Sequence, residues 1–489
     1  MLKAMKTRIQ QSCVNTSLEY FSKGLLCLFI IVTGVIAAWL IVDHRYSYLL
    51  GGPVVLLCIL IGLHNWRWSI YALLAYLPFA GIPILAMYPS KFPLLFKDFF
   101  FVIPAYVGFV AMYVIQRKPI RFSGAPVWLI GGFSALVLIQ LLNPNLNNWL
   151  AGLVGVKIWL FYIPLGFLAY HLINTKEELI RLTKILLLIS LIPFLFGVVQ
   201  AILVYMGYDY VAYWLYGNHT ARVTQNFFQL ELSGGGFLRR LPSTFQFGAQ
   251  YYGYVISMLP LAAAMWMIQR DKSGFRLTSF LVILVSLAGF LSGLRRSFLF
   301  IPVFWLVFGR FEGLSKVTRL MIITAIAILL AVSILGVDLG SLYKHIGTLI
   351  VRYAGTTVSG DFIEAIKTAP LGLGTGMDTN PARHAVKDPS TFRWLSENYY
   401  AKVVYELGIG GLLILVVLFL TICIRGYFTY RVLQDPILKV FSAAFLAYFI
   451  VIMIDSTKAQ PLDIDPVNVY FWLFAGLLAK LTSLDVDHK

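Results

Sequence analysis

A succession of apolar stretches, each about 17–25 residues long and free of two-residue alternation, constrains this chain more than any other feature. That length matches the hydrocarbon thickness an α-helix must cross. Inside lipid every backbone polar group has to be paired within the protein, which leaves helices or closed barrels. Barrel strands would run about ten residues with alternating polarity, and no such pattern occurs. Composition agrees: 59% of the residues are hydrophobic and 12% charged, where soluble domains carry about 25% charge. The expected fold is an all-α polytopic integral membrane protein, a single membrane domain over residues 1–489. Its spans are expected at about 24–41, 47–63, 68–87, 98–116, 125–142, 157–173, 185–205, 248–268, 277–292, 295–309, 320–337, 399–424, 440–456 and 467–480, about fourteen transmembrane helices in all.

Orientation follows from Lys and Arg, which concentrate in cytoplasmic segments. With the N-terminus inside, about 22 of the 39 basic residues fall in short cytoplasmic loops and tails, among them Lys176, Arg181, Arg270, Arg276, Arg425, Arg431 and Lys480. Both termini are then cytoplasmic, and two long loops, about 206–247 and 338–398, face outward. Within the second, apolar residues at helical spacing (Leu349, Ile350, Tyr353, then Phe362, Ile363, Ile366) predict amphipathic helices at the outer surface, divided near residues 356–360. The basic N-region (Lys3, Lys6, Arg8) precedes no small-x-small cleavage site, so the first apolar run is expected to be retained as a helix. The net charge of +17 is explained by residues that punctuate helices, so no nucleic-acid partner is expected. Cys13, Cys27, Cys58 and Cys423 form no CxxC pair, and the seven histidines have no ligand spacing. No metal and no cofactor are therefore expected.

Four constellations could carry chemistry. Arg239–Arg240 precede the span at 248, and Arg295–Arg296 sit at the turn between the spans at 277 and 295. Both pairs face outward against the positive-inside trend. They either snorkel at the membrane edge or form an anionic site, since a guanidinium offers phosphate oxygens a planar fork. Glu397, in Ser396-Glu397-Asn398-Tyr399-Tyr400, either caps a helix start or acts as a general base on a hydroxyl. The run Ala369-Pro370-Leu371-Gly372-Leu373-Gly374-Thr375-Gly376 is a glycine-rich turn whose backbone N–H groups suit an anion, not a dinucleotide fingerprint, because no strand precedes it. Lys157 either snorkels or lines the cavity, and His384 beside Arg383 is a candidate in the second outer loop.

Taken in order, these segments resemble the O-antigen ligase/polymerase superfamily of bacterial envelope glycan assembly. STFQFGAQYYGYVISMLPLA is similar to the family's "GTF-x-NPN" lead-in to a helix, LSGLRRSFLFIPV to its "SGSRG" segment, APLGLGTGM to its "hPl-G-GpG" turn, and ENYYAKVVYELGIGGLLILVVLFL to its "HN-x-YL…ELG-x-G" helix. LVGVKIWLFYIPL also resembles a segment of exopolysaccharide polymerases. The resemblance covers about residues 230–424. It implies a C-type membrane glycosyltransferase fold. The implied activity polymerises polyprenyl diphosphate-linked glycan repeat units on the outer side of the bacterial cytoplasmic membrane, alongside a flippase and a chain-length regulator. Arg239 or Arg240, with Arg295 or Arg296, would hold the diphosphate, Glu397 would activate the acceptor hydroxyl, and Asn398, Tyr399 and Tyr400 would bind sugar. Glu397 stands where the ligases have histidine, and Ser243–Thr244–Phe245 lacks the leading glycine and the NPN. Two alternatives stay open: ligase-type transfer of finished glycan to a lipid or protein, and non-enzymatic export or flipping. Export would be expected to leave repeated halves in the sequence, and none is found.

Overall fold

The computed structural model describes residues 47–87, 92–115, 126–146, 148–208, 229–231, 237–270, 273–334, 360–385 and 396–486, with a few isolated positions besides. By its own contacts the chain forms two compact units, Met1–Arg121 and Phe122–Lys489, where the sequence suggested one domain. The expected first span at 24–41 lies outside the described residues.

The first unit contains α1 (Ser47–His64), α2 (Trp66–Tyr76), α3 (Gly81–Ala86) and α4 (Ile103–Ile115), with 3-10 and π turns between the last two. Asn65 starts α2 by accepting a hydrogen bond from Arg67 N at 3.2 Å. Trp66 packs edge-on against Phe109 at 5.1 Å. A methyl on Gly108 would lie 2.7 Å from the Gly62 carbonyl, so α1 and α4 touch backbone to backbone. Lys97 and Asp98 form a buried ion pair at 3.0 Å.

The second unit contains α5 (Val127–Gln140), α6 (Trp149–Leu160), α7 (Pro164–Leu172), α8 (Lys176–Tyr205), α9 (Gly248–Gln269), α10 (Phe275–Leu291), α11 (Arg295–Glu312), α12 (Leu314–Ile334), α13 (Gly360–Thr368), α14 (Asn380–Ala385), α15 (Tyr399–Val432), α16 (Pro436–Asp455) and α17 (Val467–Val486). One small antiparallel hairpin, β1 (Gln229–Glu231) with β2 (Phe237–Arg239), pairs Gln229 with Arg239. The core is built round α9, which is enclosed by α8, α10, α16 and α17. Its buried tyrosines include Tyr251, packed on Phe194 and Phe245, and Tyr254, packed on Phe194, Phe245 and Tyr470.

Among the described residues seven helical segments are long and apolar enough to cross a membrane: Phe92–Ile115, Trp149–Leu172, α8, α9, α15, α16 and α17. α5 and α10 are shorter apolar helices. The chain thus has the build of a multi-pass membrane protein. Several helices begin earlier than expected from hydropathy. Asn148 caps α6 by accepting from Leu150 N at 2.9 Å, so Lys157 lies within a helix and not at its start. Thr175 caps α8 by accepting from Glu178 N at 3.2 Å, and Glu178 accepts from Asn174 N at 2.7 Å. Asp435, followed by Pro436, caps α16. Hydropathy reports where charge thins out, whereas caps report where the helix starts, and the two differ by as much as nine residues in α8.

Of the expected outer-loop helices, the stretch around Leu349–Tyr353 lies outside the described residues. α13 forms, but it does not simply lie on a surface. Its Ala365 is buried against Ala401, Val404 and Tyr405 of α15.

Candidate functional site

The two arginine pairs are brought together by one glycine. Gly293, in the turn between α10 and α11, has φ +68°, and a methyl there would lie 2.0 Å from the Arg239 carbonyl oxygen and 2.8 Å from the Arg240 Cα. Only a residue without Cβ permits this conformation and this approach. The end of β2 therefore rests on the turn that launches Arg295 and Arg296. Gly248 adds a third element: its Cβ position lies 3.1 Å from the Ser292 carbonyl and 3.6 Å from the Arg240 Cβ. The N-termini of α9 and α11 thus meet beside the arginines, and neither has a side-chain cap. Uncapped helix N-termini present backbone N–H groups and the positive end of the helix dipole.

The members of the second pair differ. Arg296 Nη1 donates to both carboxylate oxygens of Asp455 at 3.0 and 2.9 Å, and its guanidinium lies over the Tyr252 ring at 5.1 Å. Asp455 is almost wholly buried at the end of α16. The Arg295 Nε is also buried, but it has no partner among the described residues. Arg296 is thus committed to Asp455, whereas the Arg295 Nε is not bonded among the described residues.

The end of α16 also carries the start of α15. Tyr399 N donates to the Ser456 carbonyl at 3.0 Å, and the Tyr400 hydroxyl donates to the Met453 carbonyl at 2.8 Å. Asn398 caps α15, accepting from Tyr400 N and Ala401 N at 2.9 and 3.2 Å. The capping role considered for Glu397 therefore belongs to its neighbour, whose shorter side chain reaches the first turn. Glu397 pairs instead with Lys458, and its side chain is 71% exposed. Lys458 follows Asp455 by one turn, its N–H donating to the Asp455 carbonyl at 3.0 Å. The two arginine pairs thus share one turn, with Arg296 paired to Asp455, while Lys458 pairs with Glu397 in the neighbourhood of Asp361.

Beneath this surface the glycine-rich turn does hold an anion, and the anion is the protein's own. Glu406 of α15 accepts from Gly376 N at 2.8 Å, Asp378 N at 2.9 Å, the Thr379 hydroxyl at 2.8 Å and Trp159 Nε1 at 2.6 Å. Gly376 has φ +92°, and its Cβ position lies 2.1 Å from the Ala151 carbonyl of α6, so the turn is also pressed against that helix. Gly374 N donates to the Glu406 carbonyl at 3.3 Å. Fully buried Lys402 pairs with Asp463 and lies over Trp159 at 4.7 Å. Burial pushes the Asp378 carboxyl well above the usual range, with Glu406 and Asp463 adding to the shift and Lys402 opposing it. Asp463 is raised by burial against the pull of Lys402.

The remaining expected site residues are placed as follows. The Tyr399 ring is buried beside Trp159, Tyr400 and Lys402, which makes it a packing residue. The Lys157 Nζ lies 5.9 Å from the Phe161 ring centre. His384 belongs to α14, and its side chain lies outside the described residues. Sequence reasoning passed over Asp455, Glu406, Lys402 and Asp463. For Asp455, Glu406 and Lys402 the signal was there to be used: an ionisable residue inside or at the end of an apolar span is a functional candidate by default. A scan against protein-family models finds no match for this chain, and a search of curated proteins finds none either.

Proposed function

We propose that this chain is a membrane glycosyltransferase of about fourteen spans and C-type fold, with both termini in the cytoplasm. It polymerises polyprenyl diphosphate-linked glycan repeat units on the outer side of the bacterial cytoplasmic membrane, in company with a flippase and a chain-length regulator. The observation that carries the reading is the seating of Arg239 and Arg240 on Gly293, which puts two arginine pairs beside two uncapped helix N-termini. Such an arrangement suits a diphosphate, with its dense negative charge and many acceptor oxygens. The motif resemblance supports the same substrate.

In the reaction the acceptor hydroxyl oxygen attacks the anomeric carbon of the donor, and the bond from that carbon to the diphosphate oxygen breaks. Arg295 and the Arg239–Arg240 pair take up the charge that develops on the departing diphosphate. Arg296 holds Asp455 and so fixes the start of α11. Glu397 receives the hydroxyl proton. Its surface ion pair with Lys458 is worth little in water, so the carboxylate is released at small cost.

The test uses purified full-length protein in lipid with polyprenyl diphosphate-linked repeat units and no nucleotide sugar. Arg295→Ala is expected to lower the rate about 10²–10³-fold, with poor rescue by Lys, which lacks the fork. Undiminished polymer from Arg295→Ala would overturn the assignment of that residue. Wild-type protein that forms no glycosidic bond would overturn the enzyme reading.

A further inference from the structure

At the opposite end of α15 from the arginines lies a groove of about 360 Å³, bounded by α5, α7, α15 and α17. Arg425 lies 17 residues beyond Gly408, where φ +76° breaks the helix, which is about 25 Å of helix past the break. The groove is deep because glycines form its floor. A methyl on Gly476 would lie 2.0 Å from the Gly166 carbonyl, so α7 and α17 pack backbone to backbone and leave no side chains to fill the space. Its walls are apolar, Ile422, Phe428 and Trp472 among them.

Its charge is one-sided. Arg425 lines it, and Lys480 stands beside it, with its Nζ 5.0 Å from the ring centre of lining Tyr170. No carboxylate is among the lining residues. Two acids at this end of α15 bond to neighbouring segments. Asp435 pairs with Lys176 at 2.5 Å, and Asp485 accepts from Gln434 N and Asp435 N, both at 2.9 Å. The volume falls within the roughly 300–1,000 Å³ of small-molecule sites. Basic residues at the mouth of an apolar groove between spanning helices match an acyl chain joined to an anionic headgroup.

We infer that this groove binds one anionic phospholipid of the surrounding leaflet, with an acyl chain along α15 and α17 and the phosphate held by Arg425 and Lys480. The occupant is a bulk membrane lipid and not the reaction's own polyprenyl carrier, whose diphosphate is assigned to the far end. Catalysis is not involved in its binding, so the inference stands or falls independently of the proposed activity.

Native mass spectrometry of the purified full chain tests it, with phosphatidylglycerol, phosphatidylcholine and polyprenyl phosphate offered in equal amounts. Wild type is expected to retain phosphatidylglycerol preferentially. The double variant Arg425→Ala, Lys480→Ala is expected to bind it about 30-fold more weakly, from two basic residues acting on one anionic headgroup. Arg425→Lys keeps the charge and is expected to keep retention, which separates headgroup recognition from misfolding. Ala479→Phe fills the groove with both charges intact and is expected to abolish retention. Equal retention of the two lipids by wild type, unchanged retention by the double Ala variant, or preference for polyprenyl phosphate over phosphatidylglycerol would each overturn the inference.

Discussion

Glu406→Gln changes one oxygen to an amide nitrogen at a site where four donors converge. In the wild type one carboxylate oxygen serves Trp159 Nε1 and Gly376 N, and the other serves Asp378 N and the Thr379 hydroxyl. Glutamine has only one acceptor oxygen. If its amide nitrogen faces the first pair, two N–H donors lose their acceptor. If it faces the second, the Thr379 hydroxyl turns round to accept and Asp378 N alone is stranded. The second arrangement prevails, and one stranded buried donor costs about 1–3 kcal/mol. Glu406→Ala strands three N–H donors and opens a cavity, so it should cost about 3 kcal/mol or more beyond glutamine. The assay is the thermal midpoint of the detergent-purified chain, followed by loss of the monodisperse peak. The expected order is wild type, then Gln, then Ala, with Glu397→Gln, at the exposed ion pair, within error of wild type. A midpoint for Glu406→Ala equal to that of wild type would refute the idea that this carboxylate holds the glycine-rich turn.

Gly293→Ala should cut activity strongly while leaving protein in the membrane, because the methyl would displace the Arg239 backbone and separate the arginine pairs; unchanged turnover would show that their apposition is immaterial. Burial raises the Asp378 carboxyl, so its contribution favours the folded state at low pH and is lost as pH rises through the folded pKa. Asp378→Asn keeps an acceptor for Ser396 N and should raise the thermal midpoint toward alkaline pH and flatten its pH dependence; a midpoint that falls in parallel with wild type would contradict this. Reporter fusions near Arg270 and Arg431 should read cytoplasmic and those near Gly235 and Asp378 external, and an external signal at Arg270 would invert the proposed topology.

The helices were legible because apolar length is a direct physical requirement of lipid. The arginine pairs stood out in the sequence, since charge on the side expected to face outward runs against the orientation trend. That the two pairs meet was not legible, because it depends on a backbone approach at Gly293 that no local pattern encodes. The same limit applies to Glu406. Its donors come from residues 159, 376, 378 and 379, and only folding shows that one carboxylate collects them. The turn was expected to offer N–H groups to an anion, and in the fold Gly376 N donates to the chain's own Glu406. Glu397 was weighed as a cap because it stands near a helix start, and a shift of one residue transferred that role to Asn398.

Ser243 has φ +54°, its hydroxyl donates to the Pro193 carbonyl at 2.5 Å, and its N–H donates to Gln200 Oε1 at 2.9 Å. Pro193 and Gln200 lie about 18 and 8 Å back from the end of α8 at Tyr205. The loop that carries Arg239 and Arg240 therefore descends along α8 before α9 begins, and it is latched below the rim of the bundle. On the proposed reading the guanidinium groups wait at the depth where a lipid's phosphates already travel. A carrier lipid could then enter sideways from the bilayer, with its chain still dissolved in hydrocarbon, while only the sugars extend toward water.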